Sequence, residues 1–272
     1  MRELERTAAD TTDPGTPAIA GDRPARALRI GVVGRGRVGG AMARALRDAG
    51  HRVDGPAGRG EVPDGDAVLL CVPDSEIPAA ARAVAGSAAF VGHTSGATRL
   101  SALDGAGAAA FGLHPLQTIA GRDADLRGCG CATAGTTPEA AAFARRLALD
   151  LGMEPVEIAD GDRAAYHAAA SIASNFLLTL EAAAESVAAG AGLDPAAARR
   201  LLGPLVRTTV DNWLALGPEG ALTGPVARGD EPTVAAQRAA VADTAPGLLP
   251  LFDELVERTR LLAGLQPAEV RA

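Results

Sequence analysis

From Ala27 to about Ala159 the chain alternates short apolar runs with helical stretches. LRIGVVG is followed by GGAMARALRDAG, then by HRVDG, DAVLLCVP, SEIPAAARAVAG and AFVGHTSG. Short apolar runs bounded by Gly, Pro and Asp read as strands, and their alternation with helical periods predicts parallel βαβ units. Further strands are expected at AAFGLHP, CATAGTT and MEPVEIA, with a helix over 138–151 between the last two. Beyond Asp160 the strand signals stop and Ala/Leu-rich helical segments take over, at roughly 162–190, 195–216, 232–243 and 246–264. Gly192 is placed to close the first of these, and Asp194-Pro195 offers an N-cap and a first-turn proline to the second. The stretch 217–231, with several Gly and Pro residues, reads as a long loop of the kind that carries function. The fold class is therefore α/β, with a parallel-sheet domain over 27–159 followed by an all-helical domain over 160–272. Residues 1–26 are polar, lack a period that could bury a face, and are expected to form a disordered leader.

Composition narrows the function. The 272 residues are 47% hydrophobic, enough for a sizeable core. A formal charge of -7 disfavours a nucleic-acid partner, which needs clustered basic residues to neutralise phosphates. The chain contains no lysine, so every basic side chain is arginine and lysine chemistry is absent. Cys71, Cys129 and Cys131 form neither an even disulfide framework nor a spaced metal site, and are read as reduced thiols with no metal. No apolar run reaches the roughly 20 residues that cross a bilayer. These features predict a cytoplasmic protein with neither a membrane nor a nucleic-acid partner.

The most informative motif is G-R-G-R-V-G, with Gly34, Gly36 and Gly39 between the first strand and the first helix. Gly34 can make the tight turn, Gly36 lets a pyrophosphate approach the backbone, and Gly39 lets the helix pack on the strand. The helix N-terminus then faces the anion. In that context the motif predicts a Rossmann-type dinucleotide domain, with Arg37 and Val38 in the same turn as cofactor contacts. Arg59 lies beyond the second strand, where a basic residue favours a 2′-phosphate, and Arg35 and Arg37 are near. The expected cofactor is NADP(H), with NAD(H) the alternative through Asp54. Val72 and Pro73, after the next strand, are expected to supply apolar packing for the cofactor rather than chemistry.

Together with this turn, CVPD at 71–74, HTSGA at 93–97, HPLQT at 114–118, YHAAASIASN from Tyr166 and LTGPVARGD from Leu222 form a specific pattern. It resembles the family designated domain of unknown function 2520, over most of 27–264. That family is similar in architecture to β-hydroxyacid dehydrogenases, ketopantoate reductases, prephenate dehydrogenases and pyrroline-carboxylate reductases. The resemblance implies a dinucleotide domain and a helical domain that often dimerises, hence a homodimer. Hydroxyisobutyrate-type dehydrogenases and ketopantoate reductases carry a lysine followed four positions later by asparagine on the first helix of the second domain. In that helix this chain offers His167, Ser171 and Asn175, four apart and so on one helical face.

His167 is the candidate general acid, because imidazole titrates near neutral pH, or else a histidine that merely packs. Ser171 and Asn175 could orient a carbonyl or carboxylate, or make ordinary helix–helix hydrogen bonds. His114 is expected at the carboxyl end of a strand, the edge where open α/β sheets bind ligands, with Pro115 ending the strand. HTSGA resembles the serine-containing loop near the nicotinamide in β-hydroxyacid dehydrogenases, which implies Ser95 and Gly96 as substrate contacts. Thr223 and Arg228 in the long loop are further candidates, where Asp230 could instead cap the next helix. His51 is expected to be merely exposed. The reading is an NADP(H)-dependent oxidoreductase acting on a small carboxylate that bears a carbonyl, hydroxyl or imine between two domains, in a ketopantoate reductase-like reaction. Two alternatives stay open: an imine reductase of the pyrroline-carboxylate type, and a dinucleotide-binding sensor or assembly protein without turnover.

Overall fold

The structure is a computed structural model, and it describes residues 26–265. The expected leader over 1–26 lies, apart from Arg26, outside the described residues. A seven-stranded sheet has the order β2-β1-β3-β4-β5-β6-β7. Its strands are β1 (Arg29–Val33), β2 (Arg52–Ala57), β3 (Ala67–Leu70), β4 (Phe90–His93), β5 (Ala109–Pro115), β6 (Gly130–Gly135) and β7 (Glu154–Glu157). The order reverses around β1, the topological switch point beside which doubly wound sheets bind ligands.

Alternate residues of the central strands are buried on opposite faces, as a doubly covered sheet requires. Ile30, Val32, Leu69, Phe111 and Leu113 pack with Met42 and Leu46 of α1 (Arg37–Asp48) and Leu147 of α3 (Pro138–Asp150). Val33, Val68, Leu70 and Val91 pack on the other face with Ile77 of α2 (Ile77–Ala83) and with Leu100 and Leu103 of a 3₁₀ turn. Phe143 of α3 stacks on Phe90 at 4.6 Å and meets Phe111 edge-on at 5.2 Å.

Two expectations change here. The sheet is not wholly parallel, since β5 and β6 pair antiparallel with Pro115 opposite Cys131. The connection between them contains no helix, and without a covering crossover element the next strand returns reversed. His51, expected to be exposed, is 4% exposed. Its Nδ1 accepts from the Leu28 N–H at 3.3 Å and its Nε2 lies 3.5 Å from Asp150.

The chain divides into two compact units between Ala169 and Ala170. The first nine residues of the helical run, α4 (Arg163–Ser171), start within the sheet-bearing unit because Arg163 is anchored there, as described below. The second unit continues through a π-helical turn at Ile172–Phe176 into α5 (Leu177–Ala188), α6 (Pro195–Ala221), α7 (Glu231–Thr244) and α8 (Leu249–Leu262). Asp194 caps α6 by accepting from the Ala197 N–H at 2.7 Å, and Gly192 has φ 78°. The loop expected from Gly217 begins later: Gly217 breaks the helical dihedrals of α6, but the helix resumes and runs to Ala221. Pro218, one residue past that break, sits where a missing N–H costs a helix least.

Candidate active site

The glycine turn joins β1 to α1 as its spacing requires. Gly34 has φ 114°, and a side chain there would collide with the Cys71 carbonyl at the end of β3. A side chain at Gly39 would collide with the Gly34 carbonyl, so these two residues close the turn against the sheet. Gly36 is different. It precedes the first residue of α1, and a Cβ there meets nothing within 4 Å. Its face is open at a helix N-terminus, which is where a pyrophosphate would lie. Beside the turn is a cavity of about 350 Å³ lined by Gly34, Arg35, Gly58, Arg59, Glu61, Val72, Pro73 and Ala80. The residues present thus fit a dinucleotide: a tight turn, an open backbone face and a mostly apolar recess.

Arg37 opens α1 and is exposed, and Val38 packs partly into the core. Arg59 is exposed on the cavity rim and pairs with Glu76 at 2.9 Å. Asp54 accepts from the Asp64 N–H at 2.9 Å within β2, short of the strand's end.

Further along the same carboxyl edge, the ends of β4 and β5 carry a second cluster. His114 Nδ1 and the Tyr166 hydroxyl are 2.8 Å apart, with the rings edge to face. The His114 and His167 rings are also edge to face, 6.1 Å between centroids. Both histidines close over Gly96, where an added methyl would lie 2.8 Å from His167 Nδ1 and 3.0 Å from His114 Nε2. Only glycine lets the rings come this close to the loop after β4. Burial pushes His114 down to about 4, with the electrostatic influence of His167 and Arg163 acting in the same direction. His114 is therefore neutral at physiological pH. Burial pushes the Tyr166 hydroxyl up to about 12, so it keeps its proton.

A buried arginine positions this cluster. Arg163 Nε donates to Asp160 at 2.9 Å, and Nη1 donates to the Ser95 carbonyl at 3.2 Å. Asp160 also accepts from the Leu100 N–H at 2.9 Å. The charge is thereby paired and hydrogen-bonded, the condition under which a buried guanidinium is tolerated. His93, wholly buried at the end of β4, is held down to about 4 first by desolvation and then by Arg163.

Of the residues singled out from sequence, His114, His167 and Gly96 come together. Ser95 adjoins them but turns inward. Its hydroxyl donates to Asp74 at 2.7 Å, accepts from the Thr98 N–H at 2.9 Å, and lies 2.9 Å from the Thr98 hydroxyl. It organises the loop, leaving the backbone of Gly96 nearest the histidines. Ser171 and Asn175 belong to the second unit, where Asn175 lies in the π-helical turn and is exposed. Thr223 and Arg228 are exposed in the second unit's 222–230 loop, and Asp230 caps α7 by accepting from the Thr233 N–H at 3.2 Å. Tyr166, Asp74 and Arg163 were not singled out as functional residues in the sequence. Tyr166 is the chain's single tyrosine and adjoins His167, the one local signal that could have found it.

Residues 129–259 match the family described as a domain of unknown function, DUF2520. No curated protein matches the chain. Among solved structures it resembles a Bacteroides fragilis protein provisionally named an NADP oxidoreductase, at 21% identity and TM-score 0.73, covering 86% of this chain and 98% of that one. A Thermotoga maritima protein has 23% identity and TM-score 0.70 over the same shares. The 1-pyrroline-5-carboxylate reductase of Streptococcus pyogenes has 16% identity and TM-score 0.60, covering 87% and 98%. These likenesses establish the shared fold.

Proposed function

We propose that this DUF2520-containing protein is an NAD(P)-dependent oxidoreductase that reduces a small carboxylate-bearing carbonyl or imine, with NADP(H) as its cofactor. One observation carries the reading. A single sheet edge holds both an open glycine turn with its adjoining cavity and, at the ends of β4 and β5, a His114–Tyr166–His167 cluster over Gly96. Gly34, Gly36, Gly39, Arg37, Val38, Val72 and Pro73 would hold the dinucleotide, which when bound supplies a hydride. Neutral His114, its Nδ1 tied to Tyr166, orients and polarises the substrate's oxygen or nitrogen. A neutral imidazole is suited to this role because it donates a hydrogen bond without adding charge. His167, the more exposed histidine, supplies the proton. In the second unit, Ser171, Asn175, Thr223 and Arg228 are proposed as substrate-binding residues.

A ketopantoate reductase-like reaction is one specific form of this reading. The imine form has a particular observation in its favour: the chain lacks lysine, and among the similar structures are a pyrroline-carboxylate reductase and a reductive aminase. The second unit supports a homodimer, because Phe176, Leu178, Leu201, Leu205, Trp213 and Leu216 are all more than half exposed there. Apolar surface of that extent on one helical unit marks an interaction face. The three free thiols are in keeping with a reducing, cytoplasmic setting. Among the described residues no single helix is long and apolar enough to cross a membrane, and no metal-ligating cluster occurs.

The deciding experiment follows NADPH oxidation with ketopantoate, other 2-oxo acids, prephenate-like acids and cyclic imines. Turnover with any of them is the expected result. Tight NADPH binding with no turnover across the whole set would favour a sensor over an enzyme.

A further inference from the structure

On the rim of the cavity the chain's own carboxylate sits in an anion-binding seat. Arg35 Nη2 lies 2.6 and 2.7 Å from the two oxygens of Glu61, and the Gly58 N–H donates to Glu61 Oε2 at 3.1 Å. The Arg35 Nε donates to the Pro56 carbonyl at 3.3 Å, which fixes the guanidinium over the β2 end. Gly58 is small for a reason, since a side chain there would meet the guanidinium at 3.0 Å. One guanidinium and one backbone N–H, just past the second strand, form the set that reads a 2′-phosphate in a dinucleotide domain. Arg59, nearest to this role by sequence, is 87% exposed and faces Glu76.

We propose that Glu61 is a built-in competitor for the cofactor's 2′-phosphate and sets the ratio of NADP(H) to NAD(H) use. The inference rests on the dinucleotide reading above. With NADP(H), the phosphate takes the seat on Arg35 and the Gly58 N–H, and Glu61 turns out to solvent. With NAD(H), Glu61 stays and accepts from the free ribose 2′-hydroxyl. The exchange is feasible because both side chains are more than half exposed, so the pair is weakly held and readily opened. It also carries a penalty, since a retained carboxylate beside a phosphate dianion is repelled. A single residue thus favours one cofactor by hydrogen bonding and disfavours the other by occupancy.

Calorimetric titration of the full chain with NADP⁺ and with NAD⁺ tests this. Glu61→Ala should tighten NADP⁺ binding by about five- to tenfold while leaving NAD⁺ unchanged or weaker. Glu61→Gln, which keeps an acceptor for the Gly58 N–H but loses the charge, should fall between wild type and Glu61→Ala. Adding Arg35→Ala to Glu61→Ala should abolish the gain for NADP⁺. An unchanged NADP⁺/NAD⁺ affinity ratio in a folded Glu61→Ala protein that still binds both would overturn the competitor role and leave the dinucleotide reading standing. Binding of neither dinucleotide to wild type would overturn the reading and the competitor together.

Discussion

The Tyr166 hydroxyl and His114 Nδ1 stand 2.8 Å apart, joining the first helix after the sheet to the end of β5 across 52 residues of sequence. With Tyr166 protonated and His114 neutral, the pair shares one hydrogen bond and fixes the imidazole's orientation. Tyr166→Phe keeps the ring and removes only that bond. We expect kcat/KM to fall about tenfold, in line with losing one hydrogen bond to a buried partner, while NADPH affinity stays the same. His167→Ala should instead lower turnover by about 10²–10⁴-fold if it gives up the proton. Steady-state kinetics on both variants separates the roles, and equal small losses would remove His167 as the donor.

Gly96→Ala tests the crowding directly. The methyl would stand 2.8 Å from His167 Nδ1 and 2.9 Å from His114 Cε1, so one ring must move. We expect a loss of about 1–3 kcal/mol in unfolding free energy, as for other overpacked sites, together with reduced turnover. Chemical denaturation and kinetics measured on the same preparation decide it. A variant with wild-type stability and rate would mean that the rings do not hold this geometry in solution.

Gly36→Val is expected to fold like wild type and to lose NADPH binding. The backbone there is extended and its surroundings are open, so the fold has no objection to a branched side chain. A pyrophosphate does, because that side chain would fill its approach to the helix N-terminus. Retained binding in a folded variant would place the phosphate elsewhere.

Stability should fall as the medium is acidified from about pH 6.5 toward 4. His93 is held at about 4 in the folded chain, and His51 is also lowered, chiefly by desolvation. Each therefore takes up its proton at lower pH in the folded chain than in the unfolded chain, whose imidazoles protonate near the ordinary value of about 6.5. The unfolded state therefore binds more protons in that window, and stability that is complete above it is lost as pH drops. For His93 alone the loss at pH 5 is about 2 kcal/mol. Denaturation midpoints at about pH 7.5 and about pH 5 measure it, and a His93→Gln variant should show a shallower decline.

What could be read from the chain and what could not divide along contact range. The β1–turn–α1 unit is local: the apolar run, the three glycines and the helical period lie within about twenty residues, and each constrains the next. The seven strands were visible in the same way. The reversal of β6 was not, since strand direction depends on the path of the connection and not on the strand's own residues. Ser95 looked like a substrate contact because its motif is exposed to view in sequence, yet its hydroxyl is consumed by Asp74 and Thr98. His51 looked unremarkable because Asp150, its neighbour in space, sits on α3, far away along the chain. Glu61 carries no motif at all, and its meaning appears only once Arg35 and Gly58 are beside it.

The π-helical turn at Ile172–Phe176 has a consequence for how this helix is compared with others. A wider turn takes in about one residue more than an α-helical turn, so everything after Phe176 is out of phase by roughly 100° relative to an uninterrupted helix. Counting in steps of four across that point assigns α5 side chains to the wrong azimuth. Removing a single residue from 172–176 would let the helix regularise and turn the whole of α5 about its axis by that angle. The segment behaves as a frameshift written in geometry, and a one-residue deletion there is expected to re-aim many side chains without changing any of them.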